Sequence, residues 1–198
     1  MKINIAKFLT CSEIEGPGKR FVIWVQGCLI GCKGCQNKSM LDLSEKLFVE
    51  VRVLFNEIKK SKKKNKIIGV TILGGEPFLQ PEGLYELVDL CSKENLDVIC
   101  FTGYIYEKLK DEYENILNNI DILIDGPFIL SKLDHKRRLI GSTNQRVINI
   151  SAKYTNSSYF NEPHSKIEIQ LFRDRVNLNG GGEEFQTLVN QLFLTNKD

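Results

Sequence analysis

The stretch "KIIGVTIL", residues 66–73, decides the fold class of this chain, because no polar alternation interrupts its apolar and β-branched residues. Runs of this kind are typical of parallel strands that are buried on both faces. Another buried strand, "RFVIWVQG" (20–27), is predicted before it, and a helix is predicted after it over residues 81–94. Strands that alternate with helices predict an α/β fold with a parallel sheet.

The alternation continues outward from this stretch. A helix is predicted over residues 42–60, where Asp42 and Glu45 have the spacing of a capping box, and another over residues 104–117. The run "KKSKKKNK" (59–66) is interpreted as a solvated loop between helix and strand. Further strands are predicted at "LDVICF" (96–101), "IDILID" (120–125), "RVINIS" (146–151) and "KIEIQLF" (166–172).

The number of repeating units limits the architecture. One βα unit takes roughly 30 residues, so a chain of 198 residues holds about six units, fewer than the eight of a closed barrel of about 250 residues. We therefore expect a partial βα barrel or an open doubly wound sheet. At most a short helix is predicted over 127–143 and a loop over 152–165, and "RVNLNGGGEEFQTLVNQLF" (175–193) predicts a short strand-helix extension.

The composition is that of a single soluble globular domain, because 42% of the residues are hydrophobic and 26% are charged. The formal net charge of +2 gives no reason to expect nucleic acid or a membrane as partner. The amino terminus lacks the pattern of a signal peptide, and no window approaches the ~18 apolar residues of a membrane span. We expect a cytoplasmic protein, where clustered cysteines are more often metal ligands or redox groups than disulfides.

The cysteines fall into separate classes. Cys91 lies on the apolar face of the helix predicted over 81–94, and Cys100 lies in a short apolar strand, so both are interpreted as core residues. Cys11, before a Gly-Pro-Gly turn, is not assigned. The other three cysteines lie in "GCLIGCKGC" (27–35), directly after a predicted strand.

Cys28, Cys32 and Cys35 have the spacing C-x3-C-x2-C, with no fourth ligand nearby. A structural zinc site needs four protein ligands. Three thiolates on a cluster of four irons leave one iron open to an exogenous ligand. The pattern therefore favours an iron-sulfur cluster that binds a substrate. A zinc site completed by Cys11 or by His135 or His164, and a cysteine-rich loop without metal, remain alternatives.

A second pattern, "TILGGEPF" (71–78), ends the strand that follows the cysteine loop. Gly74 and Gly75 allow the backbone to approach a ligand closely, and the Glu76 carboxylate suits an ammonium group. The alternative is an ordinary turn between a strand and a helix. Its position one strand after the cysteines favours the functional interpretation.

Several short motifs together resemble one known family. The cysteine loop and the Gly-Gly-Glu turn resemble the radical S-adenosylmethionine superfamily. Within it, the motifs resemble the activating proteins of anaerobic ribonucleoside-triphosphate reductase, in the same order over about residues 12–150. They are "GPGKR" (16–20), "WVQGC" (24–28), "CKGCQN" (32–37), "GGEP" (74–77), "FTGY" (101–104), "LIDGPF" (123–128) and "GSTNQR" (141–146).

The resemblance implies a partial βα barrel with two cofactors. A 4Fe-4S cluster would be held by Cys28, Cys32 and Cys35, and its open iron would bind S-adenosylmethionine. The turn at residues 74–76 would line the methionine end. Reductive cleavage of this cofactor gives a 5′-deoxyadenosyl radical. In this family the radical abstracts a hydrogen atom from a glycine of a partner glycyl-radical enzyme, such as anaerobic ribonucleotide reductase or a relative, and an external donor such as flavodoxin or ferredoxin supplies the electron.

Other candidate residues lie where strands are predicted to end. Thr102 and Asp125 are candidates for the cofactor or partner surface, because ligand contacts in barrels gather at the carboxyl ends of strands. Asn144 and Gln145 have amide groups suited to the ribose or adenine edge of the cofactor. All four could instead form turns or hydrogen-bond to loop backbone. Arg20, after the Gly-Pro-Gly turn, is expected at the surface, and the alternative is that it contacts a carboxylate.

Two departures from the family pattern keep other functions open. Ile140 stands where the family usually has an arginine, with Arg138 two residues earlier, and residues 151–198 extend beyond the resemblance. One alternative is a radical S-adenosylmethionine enzyme that modifies a ribosomal peptide or a small metabolite directly. An alternative of another class is a non-catalytic metal-binding module.

Overall fold

The computed structural model describes residues 1–163, 167–171, 176–180 and 187. These residues form a mixed α/β structure. Its strands are β1 (Lys2–Ser12), β2 (Arg20–Val25), β3 (Leu47–Glu50), β4 (Gly69–Gly74), β5 (Asp97–Phe101), β6 (Ile122–Asp125), β7 (Arg146–Asn149), β8 (Ile167–Leu171) and β9 (Val176–Gly180). Its helices are α1 (Val51–Asn65), α2 (Pro81–Lys93), α3 (Tyr106–Glu112) and α4 (Glu114–Leu117).

Seven strands form one sheet in the order β3-β1-β2-β4-β5-β6-β7. The four strands β2, β4, β5 and β6 are parallel to one another, whereas β1, β3 and β7 pair in antiparallel fashion. Helices connect the parallel strands, as parallel pairing requires a crossover. The carboxyl ends of these four strands therefore lie side by side at one edge of the sheet.

All four helices pack on one face of the sheet. Leu54 and Ile58 of α1 and Leu87 of α2 join one core cluster with alternate residues of the parallel strands, such as Ile23 and Ile72. Full burial of such a side chain stabilises the fold by about 1.5–3 kcal/mol. Among the described residues, the opposite face is covered by a cluster around Trp24 and Met40 and by another that includes Ile140 and Phe160.

The described residues form fewer βα units than the expected number of about six. The strand predicted at 146–151 is β7, but it runs antiparallel to β6. The strand predicted at 166–172 is β8, which pairs with β9 in a separate two-stranded sheet. The antiparallel pairing of β7 has a reason in the segment before it. Residues 127–143 contain only the short 3-10 helix Leu130–Lys132, as the sequence predicted, and no crossover helix that would allow β7 to run parallel to β6.

The helix predicted over residues 42–60 is misplaced. Asp42 accepts a hydrogen bond from the Ser44 amide at 2.9 Å in a local turn, and β3 then pairs with β1 before α1 begins at Val51. The lysine run interpreted as a loop is helical as far as Asn65. Its lysines lie in the last turns of α1, where positive charges interact favourably with the helix dipole.

The remaining differences concern helix ends and the carboxyl-terminal segment. The helix predicted over 104–117 is divided at Tyr113 into α3 and α4. The strand predicted after residue 175 is β9. Residues 152–163 contain two short 3-10 helices, Ala152–Tyr154 and Tyr159–Asn161, within the predicted loop. Except for residue 187, the predicted closing helix lies outside the described residues. No helix in the described ranges is long and apolar enough to cross a membrane.

The expectation that Arg20 lies at the surface is wrong. Its side chain is fully buried at the amino end of β2, and burial lowers its pKa. The guanidinium group donates to the Thr71 hydroxyl at 2.9 Å and to the carbonyl oxygens of Pro17, Val70 and Asp97 at 3.2, 3.0 and 2.8 Å. Arg20 thus connects β2 to β4 and β5 at the edge of the sheet where these parallel strands begin. The cysteine loop follows β2 at the opposite edge.

Replacing Arg20 with methionine is expected to destabilise the protein by about 3 kcal/mol or more, because several buried acceptors lose their donor. The measurement is urea unfolding of the cluster-free protein. Lys19→Met, at the exposed neighbouring position, is the control and should stay within about 0.5 kcal/mol of the wild type. A loss below about 1 kcal/mol for Arg20→Met would show that these bonds do not stabilise the fold.

Candidate functional site

The predicted site residues follow the carboxyl ends of the parallel strands. The cysteine loop follows β2, the Gly-Gly-Glu turn follows β4, Thr102 follows β5, and Asp125 ends β6. Asn144 and Gln145 precede β7 and lie beside Gly126. We call this edge of the sheet the strand-end rim. Ligand sites of open α/β sheets lie at this edge.

The cysteine loop has local hydrogen bonds that suit metal-bound sulfur. The Cys35 amide donates to the Cys32 carbonyl at 3.2 Å, which closes a tight turn between these cysteines. The Ile30 amide donates to the Cys28 sulfur at 3.4 Å. All three thiols are free and half-buried. Hydrogen bonds to sulfur and partial exposure are among the factors that tune iron-sulfur clusters.

The chemistry of the donor set fits a 4Fe-4S cluster, since three thiols lie within eight residues of one loop. In the described part of the chain, no three Cys, His, Asp or Glu side chains are arranged to hold a metal ion. The fit therefore rests on the type and spacing of the donors and on their hydrogen bonds.

The backbone joins the cysteine loop directly to the Gly-Gly-Glu turn. The Glu76 amide donates to the Gly27 carbonyl at 2.8 Å, and the Gly75 amide donates to the Val25 carbonyl at 2.8 Å. The Asn37 side chain donates to the Gly74 carbonyl at 3.2 Å. These bonds fix the position of the carboxylate-bearing turn relative to the cysteines.

Gly74 and Gly75 are required by this close approach of two backbones. A Cβ atom at Gly75 would lie 2.3 Å from the Gly27 carbonyl oxygen, and one at Gly74 would lie 2.7 Å from the Val25 backbone. Gly74 also has a φ of +110°, which other residues rarely adopt. The sequence suggested that these glycines make room for a ligand. The structure gives them a role in joining β4 to β2.

Glu76 is a buried carboxylate held by three donors. Its side chain accepts hydrogen bonds from the Phe78 amide at 3.0 Å, the Thr102 hydroxyl at 2.9 Å and the Gly103 amide at 2.8 Å, and the residue is 1% exposed. Burial raises the pKa of Glu76, and these hydrogen bonds oppose that shift. A carboxylate has about four acceptor sites, so about one is left for a ligand. The arrangement suits a cationic donor such as an ammonium group.

Asp125, by contrast, has its oxygens engaged by the protein. Oδ2 accepts a hydrogen bond from the Tyr106 amide at 2.8 Å, and Oδ1 accepts one from Arg146 Nε at 2.9 Å. Arg146 Nη2 also contacts Oδ2. The carboxylate is almost completely buried, so these contacts are shielded from water.

Asn144 and Gln145 differ in their hydrogen bonding. Gln145 accepts from the amides of Gly141 and Ser142 at 3.0 and 3.1 Å and donates to the Gly126 carbonyl at 3.1 Å. Asn144 donates to the Pro127 carbonyl at 2.8 Å, but its buried Oδ1 has no hydrogen-bond partner among the described residues. Buried polar atoms without partners are rare. Of this pair, Asn144 is therefore the one with a free acceptor.

The other cysteines and histidines do not complete a zinc site in the described structure. Cys11 lies beside the start of β2, because its neighbour Ser12 pairs with Arg20. Cys28 follows the far end of this six-residue strand, roughly 20 Å away. His135 is exposed, and His164 lies outside the described residues. Cys91 and Cys100 are fully buried, which confirms their interpretation as core residues, and burial raises the pKa of both thiols.

Three residues that make contacts at the strand-end rim had no predicted role. Arg146, Gly103 and Asn37 all lie inside motifs that were recognised, but no role was assigned to them. Their contacts depend on which strands are neighbours and in which register they pair. For Arg146, the sequence offers one signal, which is its position directly after Asn-Gln at the start of a predicted strand.

The departure at Ile140 is a core substitution. Ile140 is 4% exposed and packs with Ile122 and Ile124 of β6. Arg138 lies over the Tyr159 ring at 4.5 Å and donates to the Pro163 carbonyl at 3.3 Å, which places it against the segment after β7.

The chain is similar to proteins of one functional group. Residues 14–148 match the family described as a 4Fe-4S single cluster domain. The chain is 33% identical to the anaerobic ribonucleoside-triphosphate reductase-activating protein of Haemophilus influenzae over 150 residues, which cover 72% of this chain and 96% of the relative. The protein of the same name from Enterobacteria phage T4 is 31% identical, with coverage of 73% and 93%. The pyruvate formate-lyase 1-activating enzyme of Escherichia coli is 28% identical, with coverage of 76% and 61%.

We expect Glu76 to titrate at higher pH in the folded than in the urea-unfolded protein, because burial disfavours its charge. Its contribution to the free energy of unfolding should be greatest at pH values below the unfolded pKa and should be lost as the pH rises through the raised folded pKa. Thr102→Val should raise the pKa further, since it removes a hydrogen bond to the ionised form.

Carbon-13 NMR of the Glu76 carboxyl group measures this titration. Thr155→Val, which removes an exposed hydroxyl that bonds to the Ala152 carbonyl, is the control and should leave it unchanged. A Glu76 that titrates at or below its unfolded value would contradict the assigned burial.

Proposed function

Because this chain belongs to the radical S-adenosylmethionine activating proteins of glycyl-radical enzymes, we propose that it installs a glycyl radical on a partner such as anaerobic ribonucleotide reductase. Its cofactors are a 4Fe-4S cluster and S-adenosylmethionine. The observation that supports the proposal most directly is the backbone connection between the three-cysteine loop and the buried Glu76. It joins the loop of three thiols to a turn whose carboxylate has about one acceptor site left over.

We assign the cluster to Cys28, Cys32 and Cys35. Together the two cofactors supply a 5′-deoxyadenosyl radical when an external donor, such as flavodoxin or ferredoxin, provides one electron. The three thiolates would hold the cluster, and the Ile30 amide donates a hydrogen bond to the Cys28 sulfur. The zinc alternative is dropped, because the matching family is one of 4Fe-4S proteins.

The Gly-Gly-Glu turn is proposed to hold the methionine end of S-adenosylmethionine. Glu76 accepts a hydrogen bond from the ammonium group through the acceptor site that the protein leaves free. Gly74 and Gly75 keep this carboxylate close to the cysteine loop. An ammonium ligand also favours the ionised form of Glu76, which burial alone disfavours.

The other rim residues are proposed to have unequal roles. The unpartnered Oδ1 of Asn144 can accept a hydrogen bond from the nucleoside part of the cofactor. Thr102, Asp125 and Gln145 have their polar atoms bonded to the protein. We therefore propose that these three shape the site and do not bind the cofactor directly.

We propose that the sheet corresponds to a partial βα barrel within one domain of residues 1–198. The helices α1 to α4 of the described residues pack on one face, as helices do outside a barrel, whereas a doubly wound sheet has helices on both faces. The other face, lined by Val22, Trp24 and Thr71, would form the concave side. A cytoplasmic location is proposed because all six cysteines are free thiols.

The anaerobically reconstituted wild type is expected to contain about four irons with acid-labile sulfide per chain. Cys32→Ala should lose the cluster, and Cys91→Ala, which removes a buried thiol of the core, should keep it. Iron and sulfide analysis measures both. The electron paramagnetic resonance spectrum of the reduced wild-type cluster should change when S-adenosylmethionine is added. A full cluster in Cys32→Ala, or a spectrum indifferent to S-adenosylmethionine, would contradict the assigned site.

Incubation of the reduced holoenzyme with S-adenosylmethionine and anaerobic ribonucleotide reductase from the same source should produce a glycyl radical on the reductase. Electron paramagnetic resonance of the mixture detects it. A reductase variant with alanine at the radical glycine is the control and should give no such signal. Cleavage of S-adenosylmethionine without a radical on the reductase would indicate that the substrate is another molecule, such as a peptide or a metabolite.

A further inference from the structure

The turn between β5 and α3, residues 102–105, donates hydrogen bonds to the carboxylate of Glu76, which follows the neighbouring strand β4. Of the three hydrogen bonds that the Glu76 carboxylate accepts, two come from this turn, from the Thr102 hydroxyl and the Gly103 amide. The Tyr104 amide donates in turn to the Thr102 hydroxyl at 3.1 Å. The position of the carboxylate therefore depends on the position of the turn.

The end of β6 holds this turn in place. The Asp125 carboxylate accepts a hydrogen bond from the Tyr106 amide at 2.8 Å, and the Gly126 amide donates to the Tyr104 carbonyl at 2.9 Å. The Asp125 side chain is only 1% exposed. Both bonds are thus protected from competition by water, and they connect β6 to the far end of the turn.

Arg146 holds Asp125 and α3 at the same time. It is the first residue of β7 and pairs with Asp125 in the antiparallel ladder. Its inner edge bonds to both oxygens of Asp125, with 2.9 Å between Nε and Oδ1. Its outer edge bonds to both oxygens of Glu107, in the first turn of α3, at 2.9 and 2.8 Å. The planar guanidinium group has the donors for both carboxylates, which an ammonium group lacks.

The pKa shifts of Glu107 and Arg146 agree with these contacts. The hydrogen bonds from Arg146 lower the pKa of Glu107 to about 2, and those to Asp125 and Glu107 raise the pKa of Arg146. Glu107 and Arg146 therefore stay ionised throughout the neutral range. The ion pair between Arg146 and Glu107 therefore does not change within the neutral range.

We propose that Arg146 is a positioning residue for S-adenosylmethionine, which acts on Glu76 through Asp125 and the turn. This inference rests on the proposed function, because it takes the ammonium group of the cofactor as the ligand of Glu76. Arg146 fixes Asp125, Asp125 fixes the Tyr106 amide, and the turn then presents Thr102 and Gly103 to the carboxylate. Arg146 itself does not contact the cofactor.

The test uses Arg146→Gln in two measurements. In the holoenzyme, the dissociation constant for S-adenosylmethionine should rise roughly tenfold, as is common when a group that orients a ligand-binding residue is removed. In the cluster-free protein, hydrogen exchange at the amides of Gly103, Tyr104 and Tyr106 should accelerate roughly tenfold, because each of them bonds to a side chain in this series of contacts. The second measurement does not depend on any cofactor.

Three further variants separate positioning from general stability. Arg146→Lys keeps the charge without the planar fork and should recover only part of the affinity. Glu107→Gln removes only the exposed pair and should change the dissociation constant less than about threefold. Arg138→Gln is the matched control, since it removes a nearby, more buried arginine that contacts the segment after β7. It should leave both measurements unchanged.

The outcomes are distinct. Wild-type affinity in Arg146→Gln overturns the proposal, and so does weaker binding without faster exchange at these amides. An equal loss of affinity in Arg138→Gln overturns it too, because the effect would then be one of general stability. If the wild-type holoenzyme does not bind S-adenosylmethionine, the proposed function fails. Unchanged exchange in Arg146→Gln would refute the contacts independently of that result.

Discussion

Two backbone hydrogen bonds between the ends of β2 and β4 are the constraint on which the site depends. They join Gly75 to Val25 and Glu76 to Gly27, and a Cβ atom at Gly75 would collide with the Gly27 carbonyl. Each such bond contributes only about 0.5–1.5 kcal/mol to stability. Their importance is geometric, because they set the distance between a loop of three thiols and a buried carboxylate. The parallel pairing of β2 and β4 therefore serves both the fold and the chemistry.

The strands that the sequence revealed most clearly are those whose residues are apolar on both faces, although β7, β8 and β9 were also predicted as strands. The parallel strands β2, β4, β5 and β6 are of this type, so their prediction was confirmed. Strand β1 was missed because a bulge between Ile5 and Lys7 interrupts its alternation. Ile3 and Ile5 face the helices, whereas Leu9 beyond the bulge faces the other side. Because β1 was not predicted, β3 had no predicted partner strand and was not predicted either. The start of helix α1 was therefore predicted nine residues too early.

The gathering of the candidate site residues at one edge of the sheet was predictable, but their contacts with one another were not. Cysteines, glycines and a glutamate after consecutive parallel strands must gather at one edge of the sheet, and the sequence contains that information. The pairing of Arg146 with Asp125 depends on the antiparallel register of β6 and β7, which no local pattern specifies. The burial of Arg20 similarly depends on carbonyl oxygens of β4 and β5, more than 45 residues away. Long-range contacts of polar side chains are the part that sequence patterns do not contain.

The position of the cysteine loop has a consequence for how the protein matures. Of the described residues that form the three core clusters, none belongs to the segment 28–35. Small zinc-dependent domains fold only when their metal binds, because the metal replaces a core. Here the sheet, its helices and the buried arginine are complete without any metal ligand. The core of the described residues can therefore form before iron and sulfide bind, so that the cluster is assembled in a loop of an already folded chain.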